Sequence, residues 1–261
     1  MKLGVCTSLK HAGEAAAAGF DYLELSVADD LEPEGDPAAW RERRRALSAA
    51  PLPIEAFNSF VRNQKVVGPN ADAERLRVYV NGAFQRAAEV GGRILVFGSG
   101  GARNVPDGFP RAQAMRQLEA FLKACADASD ATGVTLAIEP LHRGESNVIN
   151  RVSEGAALAR RVGRAGVRNL ADTWHMEMEA EPLQAIVDSA SVLAHVHTAD
   201  TRRLPPGSGD YDHAGLFATL ARAGYDARIS IECNWPEGDP EVAFTRARTA
   251  LVAARDGSPS A

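Results

Sequence analysis

The chain has 261 residues, of which 45% are hydrophobic and 24% are charged, as in an ordinary globular protein with a sizeable core. The formal net charge of −5 gives no overall attraction to nucleic acid or to an anionic membrane, so we expect neither as a partner. The three cysteines are widely spaced, so we expect no disulfides. The sequence has no signal-peptide core, and no apolar run approaches the roughly 20 residues that span a bilayer. We therefore expect a cytoplasmic protein without membrane segments.

Short apolar runs alternate with amphipathic stretches along almost the whole chain. Gly often follows the amphipathic stretch, as in "AAGFDYLELS" (17–26) and "RAGYDARISIE" (222–232), which is how many helices end. The apolar runs are long enough for buried parallel strands, and these are predicted at 2–6, 21–26, 53–58, 93–98, 134–139, 167–172, 192–198 and 227–233. Helices are predicted near 11–18, 37–49, 71–90, 110–131, 153–163, 181–190, 213–223 and 239–255.

Eight alternations of strand and helix predict an α/β fold, a (β/α)8 TIM barrel. We expect one domain over residues 1–255 and a disordered tail over 256–261. A doubly wound open sheet is the alternative, but it would have fewer strands and usually a Gly-rich nucleotide turn after the first one. The stretch "TSLKHAGE" (7–14) that follows the first predicted strand is not such a turn.

Polar side chains end the last four predicted strands, where the chemistry of such a barrel is found. These residues are Glu139, Asp172, His197 (with Asp200 three residues later) and Glu232. Each carboxylate alone is more often a helix-cap residue or a solvated rim charge than a metal ligand. His195 is expected to face the helix layer as a structural residue. Four together predict a shared site, because carboxylates that converge repel one another unless a cation offsets them. One imidazole with three carboxylates suits one divalent ion, Mn²⁺ first, with Mg²⁺, Co²⁺ or Zn²⁺ as alternatives.

The motifs Glu139-Pro140, Asp172-x-x-His175-Met176, His197-x-x-Asp200 and the strand end at Glu232 resemble the xylose-isomerase-like barrels, also called sugar phosphate isomerases/epimerases. The stretch "EPLHRGESN" (139–147) is most similar to the D-tagatose/D-psicose 3-epimerases. The resemblance implies that Glu139, Asp172, His197 and Glu232 bind the metal and that Glu139 and Glu232 are also the catalytic acid/base pair.

The same resemblance implies three substrate-binding residues, because their spacings to the metal ligands match that group. Glu145 lies six residues after Glu139, His175 three after Asp172, and Arg203 six after His197. His142 departs from the pattern, since Asn is more usual there. Asn58, at the end of the third predicted strand, is a further candidate for contact with a substrate hydroxyl or for capping a turn.

Such a site supports proton transfer beside a carbonyl. A divalent ion that binds a ketone oxygen and an adjacent hydroxyl acidifies the neighbouring C–H. One Glu removes the proton to give a cis-enediolate, and a second Glu on the opposite face returns a proton. Return to the same carbon is epimerisation, whereas return to the neighbouring carbon is aldose–ketose isomerisation. The sequence therefore predicts a metal-dependent isomerase or epimerase in carbohydrate metabolism, acting on a small sugar or sugar phosphate.

Other functions fit the same barrel. Hydroxypyruvate isomerase would use the same ligands on a smaller substrate, although its usual Asp-x-Pro-Gly signature is missing from "LHRGESN" (141–147). A polyol or inosose-type dehydratase would expel a hydroxyl instead of reprotonating. An apurinic endonuclease would need a multi-zinc cluster with His from the early strands, which offer none, and a sugar-binding barrel would not need two opposed glutamates.

Several details stay open in the sequence. Arg103, in the loop 97–109, is a candidate for contact with an anion or hydroxyls, and Gly207 and Gly209 for cradling a phosphate or for a tight turn. Glu24 is either a support for the site or a salt-bridged barrel residue. The apolar stretch "FVRNQKVVGP" (60–69) suggests a contact in a homo-oligomer, or a lid.

Overall fold

Eight parallel strands close into a barrel in chain order in the computed structural model, which describes residues 1–257. The strands are β1 Lys2–Cys6, β2 Tyr22–Ser26, β3 Ile54–Asn58, β4 Ile94–Phe97, β5 Thr135–Ile138, β6 Val167–Asp172, β7 Leu193–Thr198 and β8 Arg228–Ile231. The helices in the described residues are α1 Ala12–Ala17, α2 Pro37–Ser48, α3 Ala73–Glu89, α4 Gly100–Arg103, α5 Arg111–Thr132, α6 Val152–Val162, α7 Thr173–Met178, α8 Gln184–Asp188, α9 His213–Arg222 and α10 Pro240–Arg255. The predicted (β/α)8 barrel is confirmed.

The predicted strands are all present, and each lies within two residues of its predicted ends. The short helix α4 was not predicted, because the glycines of "GSGGAR" (98–103) indicate a loop. The first two residues of the predicted tail, Asp256 and Gly257, form a turn after α10. Its other residues, 258–261, lie outside the described part of the chain. None of the helices in residues 1–257 is both long and apolar enough to cross a membrane.

Glycines end two of the long helices as the sequence pattern predicts. Gly133 follows α5 with φ 74° and Gly163 follows α6 with φ 67°, a left-handed conformation that costs other residues a steric clash. In both cases the glycine N–H donates to a carbonyl four residues earlier. The chain can therefore turn directly from the outer helix layer into β5 and β6.

Alternate side chains of the strands fill the barrel interior, as the two-residue period of a strand requires. The ring of Tyr22 occupies the space beside Gly4, its register partner, where an added Cβ would lie 2.2 Å from the ring. The apolar interior also contains Ala56, Ile94, Val96, Ala137 and Leu170. Two residues further along several strands, the same face carries polar side chains, so the interior changes from apolar to polar toward the C-terminal ends of the strands.

Candidate active site

The C-terminal ends of β5 to β8 bring together Glu139, Asp172, His197 and Glu232. One donor atom from each lies within 4.8 Å of the others. The Nδ1 atom of His197 is central: it lies 3.1 Å from Glu139 Oε1, 3.4 Å from Glu232 Oε2 and 4.0 Å from Asp172 Oδ2. Asp172 and His197 are also register partners on neighbouring strands. The four residues that the sequence proposes as metal ligands therefore form one cluster.

The two carboxylate oxygens of Asp172 have different environments. Oδ1 accepts hydrogen bonds from the backbone N–H of Trp174 at 2.7 Å and of His175 at 3.4 Å, which caps the first turn of α7. Oδ2 is buried and has no hydrogen-bond partner in the described residues. A buried carboxylate oxygen without a donor is costly, so its place beside three other donor atoms fits a bound cation.

The pKa values in the cluster reflect negative charge held in a buried place. Burial and the neighbouring Glu232 raise the pKa of Glu139. Burial, Glu232 and Glu139 raise the pKa of Asp172 well above its usual value. Burial opposes ionisation of Glu232 as well, but the charges of His197 and Arg203 lower its pKa to about 2. A divalent cation would relieve this repulsion, and three carboxylates with one imidazole are a donor set that suits Mn²⁺, Mg²⁺ or Co²⁺.

A cavity of about 280 Å³ opens directly beside the cluster. This volume is near the lower end for small-molecule sites, so it fits a small ligand. All four predicted substrate-binding residues line it together with Glu139 and Glu232, namely Asn58, Glu145, His175 and Arg203. The other lining residues are Ser59, Val61, Arg62, Gly98, Ser99, Gly100 and Leu141. Five of them lie in the stretches 60–69 and 97–109, which the sequence singles out as candidate loops over the site.

Arg203 connects two acidic residues of the cavity wall. Its Nη2 donates to Glu232 Oε2 at 2.9 Å, and its Nη1 lies 3.5 Å from Glu145 Oε1. The backbone at Arg202 and Arg203 has φ of 60° and 58°, a conformation that costs non-glycine residues about 1–3 kcal/mol each. The Arg203 carbonyl accepts from the N–H of Asn234 at 2.7 Å, which fixes this strained turn against the segment after β8. The guanidinium is thereby held over Glu232.

His175 presents a neutral N–H donor to the cavity. Its Nδ1 accepts from the backbone N–H of His142 at 3.2 Å, so the ring proton is on Nε2, which lies 3.9 Å from Asp172 Oδ2. Burial and the charge of Arg203 lower the pKa of His175 to about 3, which keeps the ring uncharged at neutral pH. His142, where the sequence departs from the related group, has its Nε2 3.3 Å from Glu145 Oε1.

Asp200, the acidic residue that follows β7, is not in the cluster. Its carboxylate accepts from the backbone N–H groups of Thr201 at 2.8 Å, Gly207 at 2.9 Å and Tyr211 at 2.9 Å. It therefore organises the loop after β7. Because the Gly207 amide already donates to Asp200, this turn matches the tight-turn interpretation of the two glycines better than a phosphate cradle.

The expectation that His195 faces the helix layer is wrong. His195 is fully buried in the barrel, and its Nε2 lies 2.8 Å from Glu24 Oε2. Residues two apart in a strand share a face, so His195 and His197 both point inward. Glu24, which the sequence left open, contacts both histidines, since His197 Nε2 lies 2.9 Å from Glu24 Oε1.

Arg103 does not reach the cavity. Its side chain is fully buried, and it donates to the carbonyls of Phe97 at 2.8 Å, Glu139 at 2.7 Å and Ile149 at 3.4 Å. Burial lowers its pKa to about 10, so it remains protonated at neutral pH. Arg103 thus fixes the backbone at the ends of β4 and β5 rather than contacting an anion.

Gly98 leaves space for the carboxylate of Glu139, because an added Cβ would lie 2.1 Å from Glu139 Oε2. We expect Gly98→Ala to displace this carboxylate and to lower kcat by about 100-fold, the effect of a misplacement of about 1 Å in a catalytic group. Gly101→Ala is the matched control, since nothing lies within 4 Å of its added Cβ, and it should leave kcat unchanged. A wild-type kcat for Gly98→Ala would show that turnover does not need Glu139 in this position.

Comparison with known proteins places the chain in a family. A family model described as the xylose isomerase-like TIM barrel matches residues 12–252. The L-ribulose 3-epimerase of Mesorhizobium japonicum is 30% identical over 221 residues, 82% of this chain and 71% of that protein. A putative hydroxypyruvate isomerase of Streptomyces coelicolor is 29% identical over 250 residues, 89% of this chain and 87% of that protein.

Solved structures show the same fold. The D-psicose 3-epimerase of Clostridium cellulolyticum, crystallised with D-tagatose, has a TM-score of 0.84 at 18% identity, covering 98% of this chain and 99% of that chain. The curated relatives named above and others like them are epimerases or isomerases by name, which confirms the prediction of an isomerase-type enzyme. The chain therefore belongs to the xylose isomerase-like TIM barrel family.

Proposed function

We propose that this protein is a divalent-metal-dependent sugar epimerase or isomerase that moves a proton at a carbon next to a carbonyl group. The observation that carries the proposal is the pairing of Glu139 and Glu232. Both carboxylates line one small cavity, and both lie within 3.4 Å of His197 Nδ1. They lie beside Oδ2 of Asp172, which has no hydrogen-bond partner among residues 1–257. Two carboxylates at one substrate site are what removal and return of a proton require.

Glu139, Asp172, His197 and Glu232 would hold the ion, and Mn²⁺ is the ion that we favour for this donor set. When bound, a divalent ion supplies Lewis-acid polarisation of a carbonyl oxygen. This role fits the buried position of the cluster, where charge interactions are stronger than in water.

The proposed proton path uses the two glutamates on either side of the substrate. One takes the proton from the carbon beside the carbonyl, and the other returns a proton to the resulting enediolate. Arg203 orients Glu232 through the 2.9 Å hydrogen bond between Nη2 and Oε2. His175, with its proton on Nε2, donates to a substrate oxygen on which negative charge develops. Glu145 and Asn58 line the same cavity and are placed to contact substrate hydroxyls.

Hydroxypyruvate isomerisation is the second candidate. It is favoured by the relative from Streptomyces coelicolor, which matches 89% of this chain, and by the small volume of the cavity, about 280 Å³. The reaction uses the same proton transfer and the same residues. The candidates differ in the substrate, because hydroxypyruvate is smaller than a ketose and carries a carboxylate, and an epimerase also differs in the carbon to which the proton returns.

Hydrogen–deuterium exchange followed by NMR tests the proposal. Mn²⁺-loaded protein is incubated in D₂O with free ketoses, phosphorylated ketoses and hydroxypyruvate in separate reactions, and Mn²⁺ is chelated before spectra are recorded. We expect deuterium at one carbon of at least one substrate, and no exchange after prior treatment with chelator. The labelled carbon distinguishes epimerisation from isomerisation. Exchange that persists without metal would refute the metal dependence, and no exchange with any substrate would refute the reaction class.

A further inference from the structure

Glu24 is a buried carboxylate at the centre of the barrel, below the candidate metal ligands. It lies on β2, has no exposed surface and contacts three side chains of β7 and β8. His197 Nε2 lies 2.9 Å from Oε1, His195 Nε2 lies 2.8 Å from Oε2, and Ser230 Oγ donates to Oε2 at 2.7 Å. The side chain is thus held from both oxygens and has little freedom to rotate.

The contact with Glu24 determines which nitrogen of the His197 ring carries a proton and which one can accept. An ionised carboxylate only accepts hydrogen bonds, so Nε2 of His197 carries a proton. Nδ1 also lies at hydrogen-bond distance from a carboxylate oxygen, Glu139 Oε1, so its lone pair becomes available when a cation takes the place of the proton between the two atoms. Nδ1 lies 3.1 Å from Glu139 Oε1 and 3.4 Å from Glu232 Oε2.

We infer that Glu24 is a positioning residue that fixes the tautomer and the orientation of His197 and thereby sets the affinity for the metal. The inference rests on the proposed function, because it takes His197 as a ligand. A carboxylate behind a ligating histidine also raises the basicity of the ring, and its loss typically lowers metal affinity by about 10- to 100-fold.

The surroundings of Glu24 support this role over a merely structural one. Tyr22 OH lies 2.7 Å from Ser230 Oγ, so the hydroxyl of Ser230 is free to donate to Glu24 while it accepts from the tyrosine. His195 occupies the second oxygen of Glu24 but lies two residues before the ligand position on β7. The network therefore holds the carboxylate in one orientation, with Oε1 directed at the nitrogen of His197 that faces away from the cluster.

Calorimetric titration with Mn²⁺ tests the inference. We expect Glu24→Gln to raise the Kd for Mn²⁺ by about 10- to 100-fold, because Gln in either amide orientation removes the negative charge behind His197. Tyr22→Phe is the matched control: it breaks a buried hydrogen bond to Ser230, but the direct contacts of Ser230 and His195 with Glu24 remain, so its Kd should stay within about threefold of wild type. An equal Kd for wild type and Glu24→Gln would overturn the inference and leave the metal site standing.

A second measurement does not depend on the folding of any variant. Nitrogen-15 NMR of the wild-type protein loaded with Zn²⁺, which is diamagnetic, reports the protonated nitrogen of each histidine. A proton on Nε2 of His197 supports the inference, and a proton on Nδ1 overturns it. Failure of the wild type to bind either ion would overturn the proposed function and the inference together. An effect of Glu24→Gln on Mn²⁺ affinity without deuterium exchange into any substrate would support the inference and refute the proposed reaction.

Discussion

Replacement of Glu232 by Gln is expected to lower kcat by about 10²- to 10⁴-fold, the contribution of a positioned acid or base. Gln has the shape of Glu but cannot take up a proton at neutral pH. The residue also lies 3.4 Å from His197 Nδ1, so the same change removes a candidate metal ligand and should raise the Kd for Mn²⁺. Steady-state rates at several Mn²⁺ concentrations separate the two effects, because excess metal restores only the part that is due to binding.

Glu237→Gln is the matched control for this prediction. Glu237 lies five residues further along the same segment and is exposed, so the substitution changes the net charge equally without reaching the cavity. Its kcat should equal that of the wild type. If Glu232→Gln retained a near-normal kcat with saturating Mn²⁺, Glu232 would not be one of the two groups that move the proton.

Replacement of Asp172 by Asn should raise the Kd for Mn²⁺ by more than about 100-fold. The loss of a residue that only hydrogen-bonds to a metal ligand costs about 10- to 100-fold, and the loss of a ligand should cost more. Asn keeps an acceptor for the N–H groups of Trp174 and His175, and Asn is as good a helix cap as Asp. The amide nitrogen replaces Oδ2, the buried oxygen without a partner in the described residues. The variant should therefore fold and lose the ion. Mn²⁺ should raise the Tm of the wild type but not of this variant.

Asp72→Asn tests whether the cap itself tolerates the change. Asp72 caps α3 through the N–H groups of Glu74 and Arg75; it is exposed and does not line the cavity. Its Tm and its Mn²⁺ affinity should match the wild type. Wild-type Mn²⁺ affinity in Asp172→Asn, measured by the same titration, would show that Oδ2 of Asp172 is not a ligand.

The barrel and the meeting of its polar strand ends follow from local sequence patterns. Apolar runs bounded by glycine mark the strands, and closure of eight parallel strands places the residues that end β5 to β8 on one rim. The register that pairs Asp172 with His197 includes a shift between Asn169 and Leu170, which the ends of the two strands do not predict. The face of His195 was predictable by the same alternation, and the wrong expectation came from treating it apart from His197.

Contacts that depend on the closed barrel could not be predicted. The carbonyls of Phe97 and Glu139 become acceptors for Arg103 only when β4 and β5 lie side by side, and a backbone carbonyl has no signature in sequence. The need for glycine at position 98 depends on where the carboxylate of Glu139 lies. The role of Glu24 likewise depends on His195 and His197, which follow it in the sequence by 171 and 173 positions.

The buried guanidinium of Arg103 has a consequence for engineering the enzyme. It ties the ends of two strands to the loop at Ile149 through its side chain, so Glu139 does not rely on the residues beyond this tie for its position. The exposed residues 106–108 and 143–145 lie beyond it, and Glu145 lines the cavity. They are therefore suitable places for randomised libraries that change which sugars are accepted, while Glu139, the proposed catalytic carboxylate, stays in place.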